Sequence, residues 1–258
     1  MLTFLYKNKL KDAVSISESE FDYGWGTAYL IDDDINSAFR GDLHYNNPGV
    51  GTTTIVFDLG TSVYIDTIAC IHNLTTTGTM WLTAGNTSGE VAQTFGVPVD
   101  GLGTSYKYFI DQYATSFQPY QYWRLHMKGV TAISQHQVNE IFLGRRTLIE
   151  EMPSYPFVTG IEENTVDLIS ERGQKWVYKN YDREYWIMNF ESVSATTENA
   201  LHKMYKYCRK NTQPIWMALD AENTPLDIEF VRFKDGAFLS EEITKNIYDL
   251  TVEFDKEI

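Results

Sequence analysis

Two acidic pairs, Asp32/Asp34 and Glu162/Glu163, are the residues in this chain that could divide the acid and nucleophile roles of glycoside hydrolysis. That chemistry needs both carboxylates at one pocket, and a chain with 35 Asp and Glu residues acquires isolated pairs by chance. The five histidines, His44, His72, His126, His136 and His202, are scattered without the short spacings of metal ligands. No Gly-x-Ser-x-Gly elbow, phosphate-binding loop, His-Glu-x-x-His helix or dinucleotide fingerprint occurs. The chain is therefore expected to bind or to build rather than to catalyse, with no cofactor required.

Charge narrows the partners. The 258 residues carry a formal net charge of −14, shared by both halves: 9 basic against 15 acidic residues up to Glu150, and 12 against 20 beyond it. Affinity for phosphate backbones comes from cations that release counterions, so no nucleic-acid partner is expected. No apolar run approaches 18 residues and no signal-like start is visible, so membrane insertion is not expected and a reducing cytosol is the expected folding compartment. Cys70 lies in an apolar strand-like run and Cys208 on a helical face; both read as buried thiols.

The elements that must position any site are mostly strands. Ile55, Phe57 and Leu59 alternate, and Tyr64, Ile65, Ile68 and Cys70 follow Gly60, which reads as two adjacent strands joined by a tight turn. Met80–Ala84, Tyr106–Ile110, Tyr122–Met127 and Val138–Leu143 add further short strands, a set that implies a sandwich. Leu30-Ile31-Asp32-Asp33-Asp34-Ile35-Asn36-Ser37-Ala38-Phe39, with Thr54–Gly60, Tyr122–His126 and Glu140–Gly144, resembles the discoidin or F5/8 type C family of galactose-binding-like jelly rolls. The likeness covers roughly residues 10 to 145. Where relatives carry glycine, this chain has Asp33, a residue that tolerates left-handed backbone.

The resemblance implies two kinds of site. In many relatives this loop and a glutamate near the last strand hold a structural calcium ion, and the matching positions are Asp32, Asp34, Ser37 and Glu140. The alternative is a solvated acidic turn, with Glu140 paired to Arg124 or Arg145. Relatives that bind sugar use loops at one end of the sandwich, where Tyr23, Trp25, Phe39, Arg40, His44 and Tyr45 are the candidates here. In the alternative, Trp25 and Phe39 plug the barrel ends and Tyr45–Gly49 is simply a turn.

Beyond Glu150 the pattern changes. Glu150–Pro156 reads as a linker between a domain at 1–149 and another at 157–258. Thr165–Ser170, Gln174–Lys179 and Tyr185–Val193 read as antiparallel strands. Leu201, Met204, Tyr205 and Cys208 recur at helical spacing, predicting one helix over about 197–211 capped by Thr196 or Thr197. Gln213–Asp220, Leu226–Phe233 and Ile247–Phe254 return to strand. The fold class is thus mainly β: an N-terminal jelly-roll sandwich and a C-terminal antiparallel β domain with one flanking helix.

The Trp-containing strands, the Asn199–Asn211 helix and Pro214–Asp220 with Val231–Phe233 resemble the tail-tube and distal-tail family of tailed-phage virion proteins. In that family two antiparallel sheets are flanked by one helix and subunits close into a ring. The resemblance implies a virion structural protein at the tail tip, baseplate or distal ring, made in the host cytoplasm. Its partners would be its own copies (a ring, a hexamer among the candidates), other tail proteins and a cell-surface glycan. The alternative is a carbohydrate-binding protein or adhesin outside any virion.

Overall fold

The computed structural model describes residues 2–18, 27–33, 39–40, 52–72, 79–95, 107–111, 118–128, 137–154, 157–170, 174–208, 212–220 and 228–257. In chain order the strands are β1 (Leu2–Leu5), β2 (Ser15–Glu18), β3 (Phe39–Arg40), β4 (Thr52–Val63), β5 (Thr67–His72) and β6 (Thr79–Gly85). β7 (Gln93–Phe95), β8 (Lys107–Asp111), β9 (Tyr120–Lys128), β10 (Gln137–Gly144) and β11 (Thr147–Ile149) follow. The last five are β12 (Val158–Ile169), β13 (Lys175–Ser194), β14 (Ile215–Ala218), β15 (Ile228–Thr244) and β16 (Ile247–Lys256), with helix α1 (Ala195–Tyr207) between β13 and β14.

The chain divides into two compact units. One holds Met1–Tyr6, Thr147–Met217 and Glu229–Ile258; the other holds Lys7–Arg146 and Ala218–Ile228. This division differs from a boundary at 149. β1 pairs antiparallel with β11, Leu2 opposite Ile149 and Phe4 opposite Thr147, so the first strand joins the sheet built by the end of the chain. A four-residue strand buried at every position has no alternation to reveal which sheet it enters. Nor is Glu150–Ser154 a free linker: it belongs to the first unit, where Pro153 is buried and the Ser154 N–H donates to the Asn189 carbonyl.

The sandwich unit stacks a four-stranded sheet, β3-β10-β5-β8, with a five-stranded sheet, β2-β4-β9-β6-β7. Alternation places Ile55, Phe57, Met80, Leu82, Trp123 and Leu125 inward, where they meet Ile68, Cys70, Ile141 and Leu143 in one core. Each such side chain contributes roughly 1.5–3 kcal/mol through burial. The tight turn expected at Gly60 is instead a bulge inside β4. Gly60 has φ +69, and a Cβ there would meet Val14 Cγ2 at 2.5 Å. The strand continues to Val63 and the chain then crosses to the other sheet, so β4 and β5 are not hairpin neighbours.

The other unit contains a single seven-stranded sheet, β11-β1-β14-β15-β16-β13-β12, rather than the two sheets its family resemblance implied. Phe4, Phe254 and Phe233 pack with tilted rings at 5.6 and 4.7 Å between centroids, and α1 buries Leu201 and Met204 while Tyr205 packs edge-on against Phe233. The helix starts two residues earlier than expected. Neither threonine is the N-cap residue: Ser194 is, and it makes no side-chain cap bond of its own. Glu151 supplies the acceptor, taking the Ser194 N–H at 3.0 Å and its hydroxyl at 3.0 Å, with the Thr197 hydroxyl as a further donor. These bonds hold the Glu151 carboxyl below the usual range, the Thr197 bond contributing most. Both cysteines are buried free thiols, as expected.

Candidate functional site

Glu140 is the least ordinary side chain of the sandwich. It lies on β10 where the ladder with β5 slips between Val138 and Ile141, a bulge that re-aims side chains locally. It is 1% exposed, and Oε2 accepts the Asp33 N–H at 3.1 Å. Asp33 has φ +64, the left-handed backbone anticipated at the position where relatives carry glycine. Its carboxylate is committed elsewhere, to Lys11 Nζ at 2.6 Å. Burial, then the Asp33 charge, pushes the Glu140 carboxyl up to about 9; Lys11 and the Asp33 N–H pull the other way, and Asp32 adds to the rise.

A buried carboxyl in this state stays neutral or takes a cation. Glu140 feels the charge of Asp32, and both side chains carry the hard carboxylate oxygens that calcium favours. Asp34 and Ser37, the other two expected ligands, lie outside the described residues. Neither pairing proposed for Glu140 in the solvated-turn alternative occurs. Arg124 donates to the carbonyls of Thr87 and Ser88 at 2.6 and 3.1 Å, and Arg145 lies over the Tyr64 ring. Among the described residues no group of three or more His, Cys, Asp or Glu side chains converges.

The glycan candidates divide. Phe39 and Arg40 form β3, which pairs with β10 through Phe39 opposite Val138 and Arg40 opposite Gln137. The chain from Asp33 to Phe39 is therefore fastened to β10 at both ends, by the Glu140 carboxylate at one and by a ladder at the other. Tyr23, Trp25, His44 and Tyr45 lie outside the described residues. The hydrolytic pairing is not assembled at Glu162/Glu163. Neighbours on β12, these carboxylates alternate across the strand, with Glu162 facing Lys234 at 3.6 Å and Glu163 facing Lys179 at 3.2 Å.

Sequence reading passed over two features. Asn8 is 8% exposed and completes the backbone of β10. Its Nδ2 donates to the Ile141 carbonyl at 2.6 Å, while Oδ1 accepts the N–H of Leu143 and of Leu10 at 3.1 Å each. On the opposite sheet, His126 stacks on Trp81 at 4.9 Å, and its ring nitrogens meet Thr54 Oγ1 at 3.0 Å and Thr83 Oγ1 at 2.8 Å. Burial, helped by the Arg124 charge, lowers the imidazole to about 4, so it is neutral near pH 7. Only the alternation of β9 signalled His126, and alternation does not reveal a hydrogen-bonding role.

No family model and no curated protein matches the chain. Solved structures do. The chitosan-binding module 1 of a chitosanase/glucanase from Paenibacillus sp. IK-5 is similar over 54% of this chain and 98% of its own, at 16% identity and TM-score 0.42. The lectin domain of lectinolysin, solved with Lewis B antigen, is similar over 54% and 96%, at 12% identity and TM-score 0.42. The CBM32 of AlyQ, solved with 4,5-unsaturated mannuronic acid, is similar over 51% and 95%, at 15% identity and TM-score 0.40.

Proposed function

We propose that the sandwich unit is a glycan-binding module whose site is edged by the segment from Asp33 to Arg40. The observation that carries this reading is the double fastening of that segment to β10, by the Glu140 carboxylate at Asp33 and by the ladder at Phe39 and Arg40, which form the last strand of their sheet. An aromatic face stacks on a sugar ring while a guanidinium donates to its hydroxyls. Tyr23, Trp25, His44 and Tyr45 are the further contact residues of the proposal. A calcium ion held by Asp32, Asp34, Ser37 and Glu140 would supply positive charge that keeps the buried carboxylate ionised and the turn closed. The role of that ion is structural.

A glycan array followed by titration calorimetry tests this. Phe39→Ala, Arg40→Ala and Trp25→Ala are each expected to weaken binding at least tenfold with the unfolding temperature kept. Unchanged affinity in all three would remove the loops as the site.

A second reading is assembly, in the proposed setting of a tailed-phage virion, and one observation supports its assembly part. The β12–β13 hairpin carries exposed apolar side chains, and among the described residues β12 ends the seven-stranded sheet, laddered to β13 alone. Light scattering over a micromolar range tests it: a discrete oligomer supports assembly, and a monomer throughout removes self-assembly.

A further inference from the structure

β9 is the middle strand of the five-stranded sheet, and His126 on it opposes Thr54 on β4 and Trp81 on β6. Leu125 and Met127 turn into the core, so alternation puts His126 on the outward face. This one side chain joins three strands. Its Nδ1 lies 3.0 Å from Thr54 Oγ1, its Nε2 lies 2.8 Å from Thr83 Oγ1, and the Trp81 indole is stacked on the ring. Thr83 is buried, while His126, Trp81 and Thr54 are half-buried.

The cluster suits a neutral ring. A neutral imidazole has one N–H and one bare nitrogen, so it donates to one threonine and accepts the hydroxyl proton of the other. A second proton makes both nitrogens donors, and the hydroxyl that had been donating must turn away. The surrounding charges also resist that proton. On β9, Arg124 lies two residues back on the same face, 5% exposed; Nε and Nη2 are spent on the Ser88 and Thr87 carbonyls, and Nη1 is buried without a hydrogen-bond partner. Lys128 follows two residues on. β4 offers no charge at Thr54 or Val56, and Asp58, two pairs along, is engaged by the Gly60 N–H and Gln121. β6 offers none at Trp81 or Thr83. Glu90, on the turn after β6, is a carboxylate whose charge Arg124 feels, but it is exposed and accepts the Asn86 N–H.

We propose that His126 is an acid-operated clasp: neutral, it ties β4 to β6 across β9, and on taking a second proton it leaves the two threonines and Trp81 for water. The outer face of the sheet then loses a side-chain link while its backbone ladders stay. The clasp is independent of glycan binding at the Asp33–Arg40 segment and of assembly. Burial, then the Arg124 charge, holds the imidazole down at about 4, against 6.5 for an ordinary histidine. The folded chain therefore binds this proton less tightly than the unfolded one. The clasp contributes in full above pH 6.5 and is lost as pH falls towards about 4.

Proton NMR of the full chain, with His126→Gln to assign the ring signal, should show His126 titrating well below the ordinary histidine value while circular dichroism holds. If His126→Gln does not fold, Overhauser contacts to the Trp81 indole assign the ring instead. A midpoint at the ordinary value overturns the clasp. Chemical denaturation reads the linkage: between about pH 7 and about pH 4.5 the wild-type folding equilibrium constant should fall at least about tenfold further than that of His126→Gln, whose amide does not titrate. Acid-sensitive carboxyls such as Glu151 act alike in both chains and cancel, so equal falls overturn the proposal. Release is read at Trp81. The fluorescence that Trp81→Phe removes should change with the His126 midpoint and stay flat in His126→Gln. Protonation with no change at Trp81 would mean that the ring stays in place, and the clasp fails.

Discussion

Glu140 and Glu151 sit at corresponding jobs in the two units, and their chemistry runs in opposite directions. Each is a carboxylate that fastens a turn by accepting a backbone N–H, Asp33 for one and Ser194 for the other. Glu151 also collects the Ser194 and Thr197 hydroxyls, and it is held ionised. Glu140 has burial and two neighbouring aspartates against it, and it is pushed toward the neutral form. One turn is held by a carboxylate kept ionised; at the other, burial and like charge favour the protonated carboxyl. The number of donors against the number of like charges decides which.

The comparison can be broken at several points. Glu151→Ala should have the largest effect, up to about 3 kcal/mol in calorimetric unfolding near pH 7, since three donors at the start of α1 lose a charged acceptor. Its contribution is present above the ordinary carboxylate value of 4.5 and is lost as pH falls through the lowered one, so wild type and Glu151→Ala should converge in acid. Calcium at a hundred times its dissociation constant should raise stability by about 2.7 kcal/mol, and Glu140→Ala should abolish the rise.

Glu140 also sharpens the contrast through pH. Its proton is held more tightly in the folded chain, so between pH 4.5 and about 9 stability without calcium falls as pH rises. Glu140→Gln should flatten that slope and remove the calcium response, a result that chemical denaturation at pH 5 and pH 8 would read directly. Lys11→Met should cost no more than about 1 kcal/mol, because the Lys11–Asp33 pair is partly in water. Asp33→Gly should be smaller still, the relief of φ +64 set against the loss of that ion pair. A larger loss would mean that Lys11 and Asp33 organise the turn beyond their own contact.

Much of the sandwich was legible. Alternation in Ile55–Leu59 and in Tyr122–Met127 marks strands with one buried face, and the structure buries Phe57, Trp123 and Leu125 accordingly. The helix was legible for the same reason, its apolar residues recurring at 3.6-residue spacing. The 32–40 region was legible in part: Asp33 was read as a left-handed position and has that backbone. Gly60 misled because a glycine between two apolar runs looks alike whether it turns the chain back or kinks a continuing strand.

What the sequence by itself determined was periodicity: which residues face inward along each strand, where the helix lies, and that the whole is acidic and mainly β. Those properties depend on neighbours a few positions away. Tertiary structure alone decided partnership. Leu2–Leu5 finds β11 across some 140 residues, Asn8 completes β10, Glu151 caps a helix that begins 44 positions later, and Glu140 is buried under Asp33. No local pattern encodes such pairings, because the free energy that selects them comes from burial and hydrogen bonds made only after distant segments meet.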